Sequence, residues 1–182
     1  MTHNGRGSDP TTDGGVADDA PAHSLRGYLR TLEAAGDLNR IGADVSWNLE
    51  ASAITMLAND RDDRIPVFES VTDSQVPARL VGDPYRGSRR RPWDRPARAL
   101  GLPPDLSGDA YYRRVMDRLR NPISPTTVGA DDAACKSVIR RGDDVDLFSL
   151  PWPYIHAADG GRYSNLHTMV APDPDSSWTD WS

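Results

Sequence analysis

The side chains best suited to chemistry crowd toward one end of the chain. Residues 144–163 read DVDLFSLPWPYIHAADGGRY and residues 174–182 read PDSSWTDWS. Gly160 and Gly161, behind Asp159, let the backbone turn tightly and approach a ligand closely. An Asp-Gly-Gly turn by itself is more often a plain hairpin turn. His156, His167 and Asp159 are metal-ligating types, but their spacing matches no common ligand motif and no Cys or Glu accompanies them. His156 is therefore expected in a turn, hydrogen-bonded to backbone, and Asp159 as the residue that forms the turn. Asp143, Asp144 and Asp146 read as a turn and strand entry. Trp152, Trp178 and Trp181 are expected to pack a core.

Two further features fit chemistry less well. Cys135 has Lys136 beside it, which favours a thiolate, yet no histidine is near in sequence; a buried strand residue is expected. Arg86, Arg89, Arg90, Arg91, Arg95 and Arg98 form a basic run that would suit a phosphate or nucleic acid. Only Trp93 interleaves with them, so a solvated loop is expected.

Regular elements must position these groups. Ser24 suits an N-cap, and Leu25, Tyr28, Leu29 and Leu32 follow at helical spacing until Gly36 supplies a left-handed stop. Residues 38–41 read as extended. Ser46 or Asn48 suits a second cap, with Leu49, Ala53, Ile54 and Leu57 on the buried face. Strands are expected at 65–71 and 78–81 and a short helix at 94–101. A clearer helix follows Ser107, with Tyr111, Tyr112, Val115 and Leu119 on one side and Pro122 just beyond its end. After Pro125, short apolar runs at 126–128, 136–139, 145–150 and 166–170 alternate with Gly, Asp and Pro clusters, the pattern of a β-rich sheet or barrel. A domain boundary is expected between Asn121 and Pro125. Residues 1–23, with Val16 their only branched aliphatic side chain, are expected to be a disordered tail.

Composition narrows the classes. The 182 residues allow one full domain and part of a second. A net charge of −6 and a pI near 5.1 argue against general affinity for nucleic acid or anionic membrane. No apolar run is long enough to span a bilayer, the opening residues lack the apolar core of a secretory signal, and Cys135 is the only cysteine. A cytoplasmic protein is expected.

Together, the 144–163 and 174–182 blocks resemble the UbiD family of decarboxylases, which use prenylated FMN. ACKSVI at 134–139 and the opening helix LRGYLRTLEAAGDLNRI add to the likeness, which spans most of 24–182. It is nearest the branch acting on unsaturated and aromatic carboxylic acids. The resemblance implies an α+β chain: an N-terminal α/β domain at 24–122, then at 123–182 the start of a split β-barrel flavin-binding domain, left incomplete. Asp180 stands where the family has the Asn that ligates manganese beside the flavin phosphate. A carboxylate is a good hard-oxygen ligand, though its charge opposes the phosphate unless metal is present. The resemblance also places Trp181, through its carbonyl, and Ser182 at the cofactor, near the metal and a potassium ion. It implies a small carboxylic acid as substrate and a homo-oligomeric parent enzyme. The family's catalytic arginine, its histidine ligand and its glutamates are expected beyond Ser182, so no catalytic residue is assigned. Two alternatives stand beside this: an accessory or flavin-binding subunit that needs a partner chain, and, less consistent with the charge, a nucleic-acid module built on the arginine run.

Overall fold

The computed structural model describes residues 24–163 and 168–181; the expected tail at 1–23, together with His167 and Ser182, lies outside the described residues. Helix α1 (Leu25–Ala34) starts where Ser24 places it, the serine hydroxyl accepting from the Gly27 amide at 3.0 Å. Gly36 adopts φ +75° and turns the chain into β1 (Leu38–Val45), which runs further than 38–41 because β2 gives it a ladder partner. Helix α2 (Glu50–Arg61) leads to β2 (Ile65–Val71), parallel to β1, and β3 (Leu80–Val81) adds antiparallel on the far side of β2. Short α3 (Asp94–Ala99) and longer α4 (Gly108–Arg120) follow, with the Ser107 hydroxyl accepting from the Ala110 amide at 3.2 Å.

The parallel β1-α2-β2 unit explains why β2 is almost continuously apolar and buried: both of its faces are covered. Tyr28 and Leu32 of α1 pack against Ile65. Val45, Ala51, Phe68 and Val71 form a second cluster, flanked by Trp47 and Ile54.

A charged knot closes the same core. Arg95, 1% exposed, reaches Asp37 at 3.2 Å and lies 3.7 Å from Asp63. It also donates to the Asp63 carbonyl. Arg86 bonds Asp63 at 2.9 Å and Asn59 at 2.9 Å, and the Arg89 amide donates to Asp63 at 2.8 Å. The Tyr28 hydroxyl donates to the Pro84 carbonyl at 2.6 Å, and burial pushes that phenol well above its ordinary pKa. The arginine run is thus not simply a solvated loop. Arg90 and Arg91 are exposed as expected, but Arg86 and Arg95 are drawn inward by carboxylates at the ends of α1 and α2.

The β-rich expectation for 126–150 is not met. This stretch is a series of single 3₁₀ turns at Ala130–Asp132, Ala134–Lys136, Gly142–Asp144 and Leu147–Ser149. Its apolar runs are short, and the Asp and Gly residues between them satisfy backbone groups locally, as when Asp146 accepts from the Phe148 amide at 2.8 Å. Only β4 (Val170–Pro172) and β5 (Thr179–Trp181) form a second sheet among the described residues, an antiparallel pair.

Candidate functional site

The 147–163 block folds onto the loop between β1 and α2. Tyr154 forms a parallel bridge with Asn48: its amide donates to the Trp47 carbonyl at 2.9 Å, and its carbonyl accepts from the Leu49 amide at 3.0 Å. The Gln75 amide donates to the Ser149 carbonyl at 3.2 Å. The Arg162 guanidinium stacks 3.3 Å from the Trp47 ring centre, with Phe148 at 5.3 Å, while the Trp47 indole donates to Asp73 at 3.2 Å.

Within the block, Asp159 forms the turn, as its sequence position suggested. Its carboxylate accepts from the His156 amide at 2.8 Å, its own amide donates to the His156 carbonyl at 3.0 Å, and the His156 ring lies 3.4 Å from the carboxylate. The Tyr154 hydroxyl donates to the Asp159 carbonyl at 2.8 Å, and the Tyr163 amide closes the loop on Pro153 at 3.0 Å. Partial desolvation and the Asp159 carboxylate push the Tyr163 phenol upward.

Docking of this block builds a cleft of about 300 Å³ whose walls are Thr55, Met56 and Asn59 of α2, Leu80 of β3, and Ile155 and His156. Gly82 lies against Thr55 so closely that a Cβ there would collide with the threonine hydroxyl.

Asp180 lies in β5, half-buried and paired across the ladder with Ala171. Its oxygen chemistry suits a hard divalent ion. No group of three His, Cys, Asp or Glu that could hold a metal exists among the described residues. The β4–β5 connection is organised by Asp173, a residue the sequence reading passed over. It accepts from the Asp175 amide at 3.0 Å and the Ser176 hydroxyl at 2.6 Å, and the hydroxyl and amide hold its carboxyl below the usual range. Its signal was the Asp-Pro-Asp-Ser-Ser run, an Asx-turn composition.

Several side chains sit otherwise than expected, among them Ala53 and Leu57, which lie exposed on α2 instead of on its buried face. Trp178 and Trp181 are 64% and 70% exposed, because no other layer covers the two-stranded β4–β5 sheet among the described residues. Cys135 lies exposed on a 3₁₀ turn rather than buried in a strand. The Trp47–Arg162 stack had no sequence signal, since it joins residues far apart in the chain.

Comparison with known proteins places these elements. Residues 29–119 match the 3-octaprenyl-4-hydroxybenzoate carboxy-lyase N-terminal domain, and residues 126–182 match the Rift-related domain of the same carboxy-lyases. Ferulic acid decarboxylase 1 of Saccharomyces cerevisiae is 30% identical over 171 residues, which are 89% of this chain and 33% of that protein. Pyrrole-2-carboxylic acid decarboxylase of Pseudomonas aeruginosa is 34% identical over 165 residues, 88% of this chain and 33% of that protein. The chain thus spans about a third of the length of the curated relatives it matches. Among solved structures, an evolved dimeric form of the UbiD-class enzyme HmfF from Pelotomaculum thermopropionicum, in complex with prFMN, superposes with a TM-score of 0.70 at 28% identity, over 88% of this chain and 34% of that one. Vanillic acid decarboxylase of Sedimentibacter hydroxybenzoicus in its open form gives 0.69 at 27% identity, over 84% and 32%.

Proposed function

Because the chain belongs to the UbiD family of carboxy-lyases, we propose that it forms the N-terminal domain (24–122) and the opening of the split β-barrel flavin-binding domain (123–182) of a decarboxylase. That enzyme acts non-oxidatively on an unsaturated or aromatic carboxylic acid, with prenylated FMN as cofactor. The observation that carries this is the match of both domains of the family in tandem and in order, at 29–119 and 126–182. Relatives named for ferulic and pyrrole-2-carboxylic acids support the substrate class, and a structural relative in complex with prFMN supports the cofactor.

Decarboxylation at an sp² carbon leaves an electron pair that needs a sink, and the modified flavin supplies one when bound. This chain's part is to hold and orient. Asp180 offers one hard-oxygen donor to a divalent manganese ion, and the Trp181 carbonyl and Ser182 lie beside it in the chain. The Asp159-Gly160-Gly161 turn gives the backbone room to approach a ligand. The groups that bind the substrate carboxylate and move the proton are assigned to positions outside these 182 residues. The protein works in a reducing, cytoplasmic setting, with a homo-oligomeric parent enzyme.

The test is carbon dioxide release by the complete gene product, loaded with prenylated FMN and manganese, from ferulic and pyrrole-2-carboxylic acids and related unsaturated acids. Release from at least one acid, lost in Asp180→Ala and retained in Asp180→Asn, is the expected result. No release from any of them would overturn the assignment.

A second arrangement has its own support: an accessory or flavin-binding chain completed by a partner. A structure of the Sedimentibacter enzyme, named ShVdcCD, contains a truncated ShVdcD, and the 123–181 stretch here exposes Ile123, Val138, Trp178 and Trp181. Co-purification with one stoichiometric polypeptide, and activity only in its presence, would favour it.

A further inference from the structure

Leu49 is a left-handed residue without glycine's freedom. It has φ +66° at the start of α2, and no side chain caps the helix there. Such backbone persists only where the surroundings hold it, and it gathers at sites with a purpose. Here the holding bonds come from far along the chain. The Leu49 amide donates to Tyr154, Tyr154 donates to Trp47, and Trp47 carries the Arg162 guanidinium on its face. Arg162 directly follows Gly161, so the same side chain that covers Trp47 ends the Asp-Gly-Gly turn. Phe148 flanks the guanidinium and, at 65% exposed, shields it only partly.

We propose that Arg162 is a positioning residue: stacked on Trp47, it latches the Asp159-Gly160-Gly161 turn onto the strained loop between β1 and α2. Leu49 is the receiving end of that latch and Arg162 the closing end. Docked, the block holds the turn in one place and raises the Ile155–His156 wall of the cleft against α2. Released, it would let Leu49 relax to ordinary backbone and open that wall. The latch deepens the functional assignment above, and its meaning for a flavin site rests on that assignment.

The experiment is residue-resolved amide hydrogen exchange on the whole 182-residue chain. In Arg162→Ala the Leu49 and Tyr154 amides should exchange about tenfold faster, the scale of a partly desolvated cation–π contact. The Leu32 and Phe68 amides, in the core of α1 and β2, should keep their rates. Arg162→Lys keeps the charge but not the flat stacking face, so it should fall between wild type and alanine. Unchanged exchange at Leu49 and Tyr154 would overturn the latch. Equal acceleration at all four amides would also overturn it, since that marks a general loss of stability. Exchange is read without flavin, so failure of the latch and failure of the flavin assignment remain separate results.

Discussion

Arg95 is almost wholly buried, and what makes that tolerable is the set of carboxylate and carbonyl oxygens around it. A buried guanidinium without them would be strongly destabilising. Asp63 is the hub, shared by Arg86, Arg95 and the Arg89 amide. Burial by itself would raise its pKa, but the Arg89 amide and the Arg86 and Arg95 charges outweigh that and hold it below the ordinary carboxylate range. A depressed carboxylate contributes stability that is present above its unfolded pKa and lost as pH falls through the folded one. The fold should therefore hold from neutral pH down to about 4, the unfolded value, and weaken progressively below it. Asp63→Asn should remove about 1–3 kcal/mol at pH 7, and the loss relative to wild type should shrink at low pH. Denaturant titrations at a series of pH values would check both, and parallel acid limbs in the two proteins would contradict the hub role. None of this was legible in the sequence. The run of arginines announced charge, but nothing in its spacing distinguished Arg86 and Arg95, whose partners lie in other elements, from Arg90 and Arg91, which face water.

Helices α1 and α4 begin where their sequences said, because each start is local: a serine hydroxyl meets an amide three residues on. Ser107→Ala should cost about 1 kcal/mol, seen as a lower melting temperature. Helix α2 was legible as a helix but not at its start. Ser46 and Asn48 both suited the cap, yet Leu49 occupies it with no side-chain bond, and Glu50 instead reaches back to the Ser46 amide at 2.7 Å. The long-range bridge to Tyr154 sets this geometry, and no window of local residues contains it. The consequence is an inverted substitution order. Alanine beats glycine in a helix interior, but at position 49, a left-handed N-cap, glycine meets no left-handed penalty. Leu49→Gly should be more stable than Leu49→Ala by about 1 kcal/mol, with the lost leucine contacts cancelling between them. Equal unfolding midpoints for the two variants would mean that the strain is not held in the folded state.

Across the whole molecule, burial is lopsided. The buried apolar side chains, from Tyr28 to Ala97, all belong to the α1–β3 unit and its α3 cover, whereas Ile123, Val138, Leu147, Trp178 and Trp181 lie more than half exposed. Side chains so exposed bury little apolar surface and contribute little to the stability of the fold. The alternation of apolar runs and turn residues after Pro125 was readable, but a strand forms only where a ladder partner exists, and β4 and β5 are the only two found there among the described residues. Stability should follow the same division. Leu32, fully buried between α1 and β2, should cost about 2–5 kcal/mol on truncation to alanine, through lost transfer energy and the cavity left behind. Trp181, larger but 70% exposed, should change stability by no more than about 0.5 kcal/mol as Trp181→Ser, since there is little burial to lose. In this chain, then, the smaller buried side chain should outweigh the larger exposed one, and Trp181→Ser should reduce binding of an apolar dye without moving the melting temperature. A melting temperature that falls as far in Trp181→Ser as in Leu32→Ala would mean that the second sheet is packed in solution. The α/β unit would then not be the only folding core.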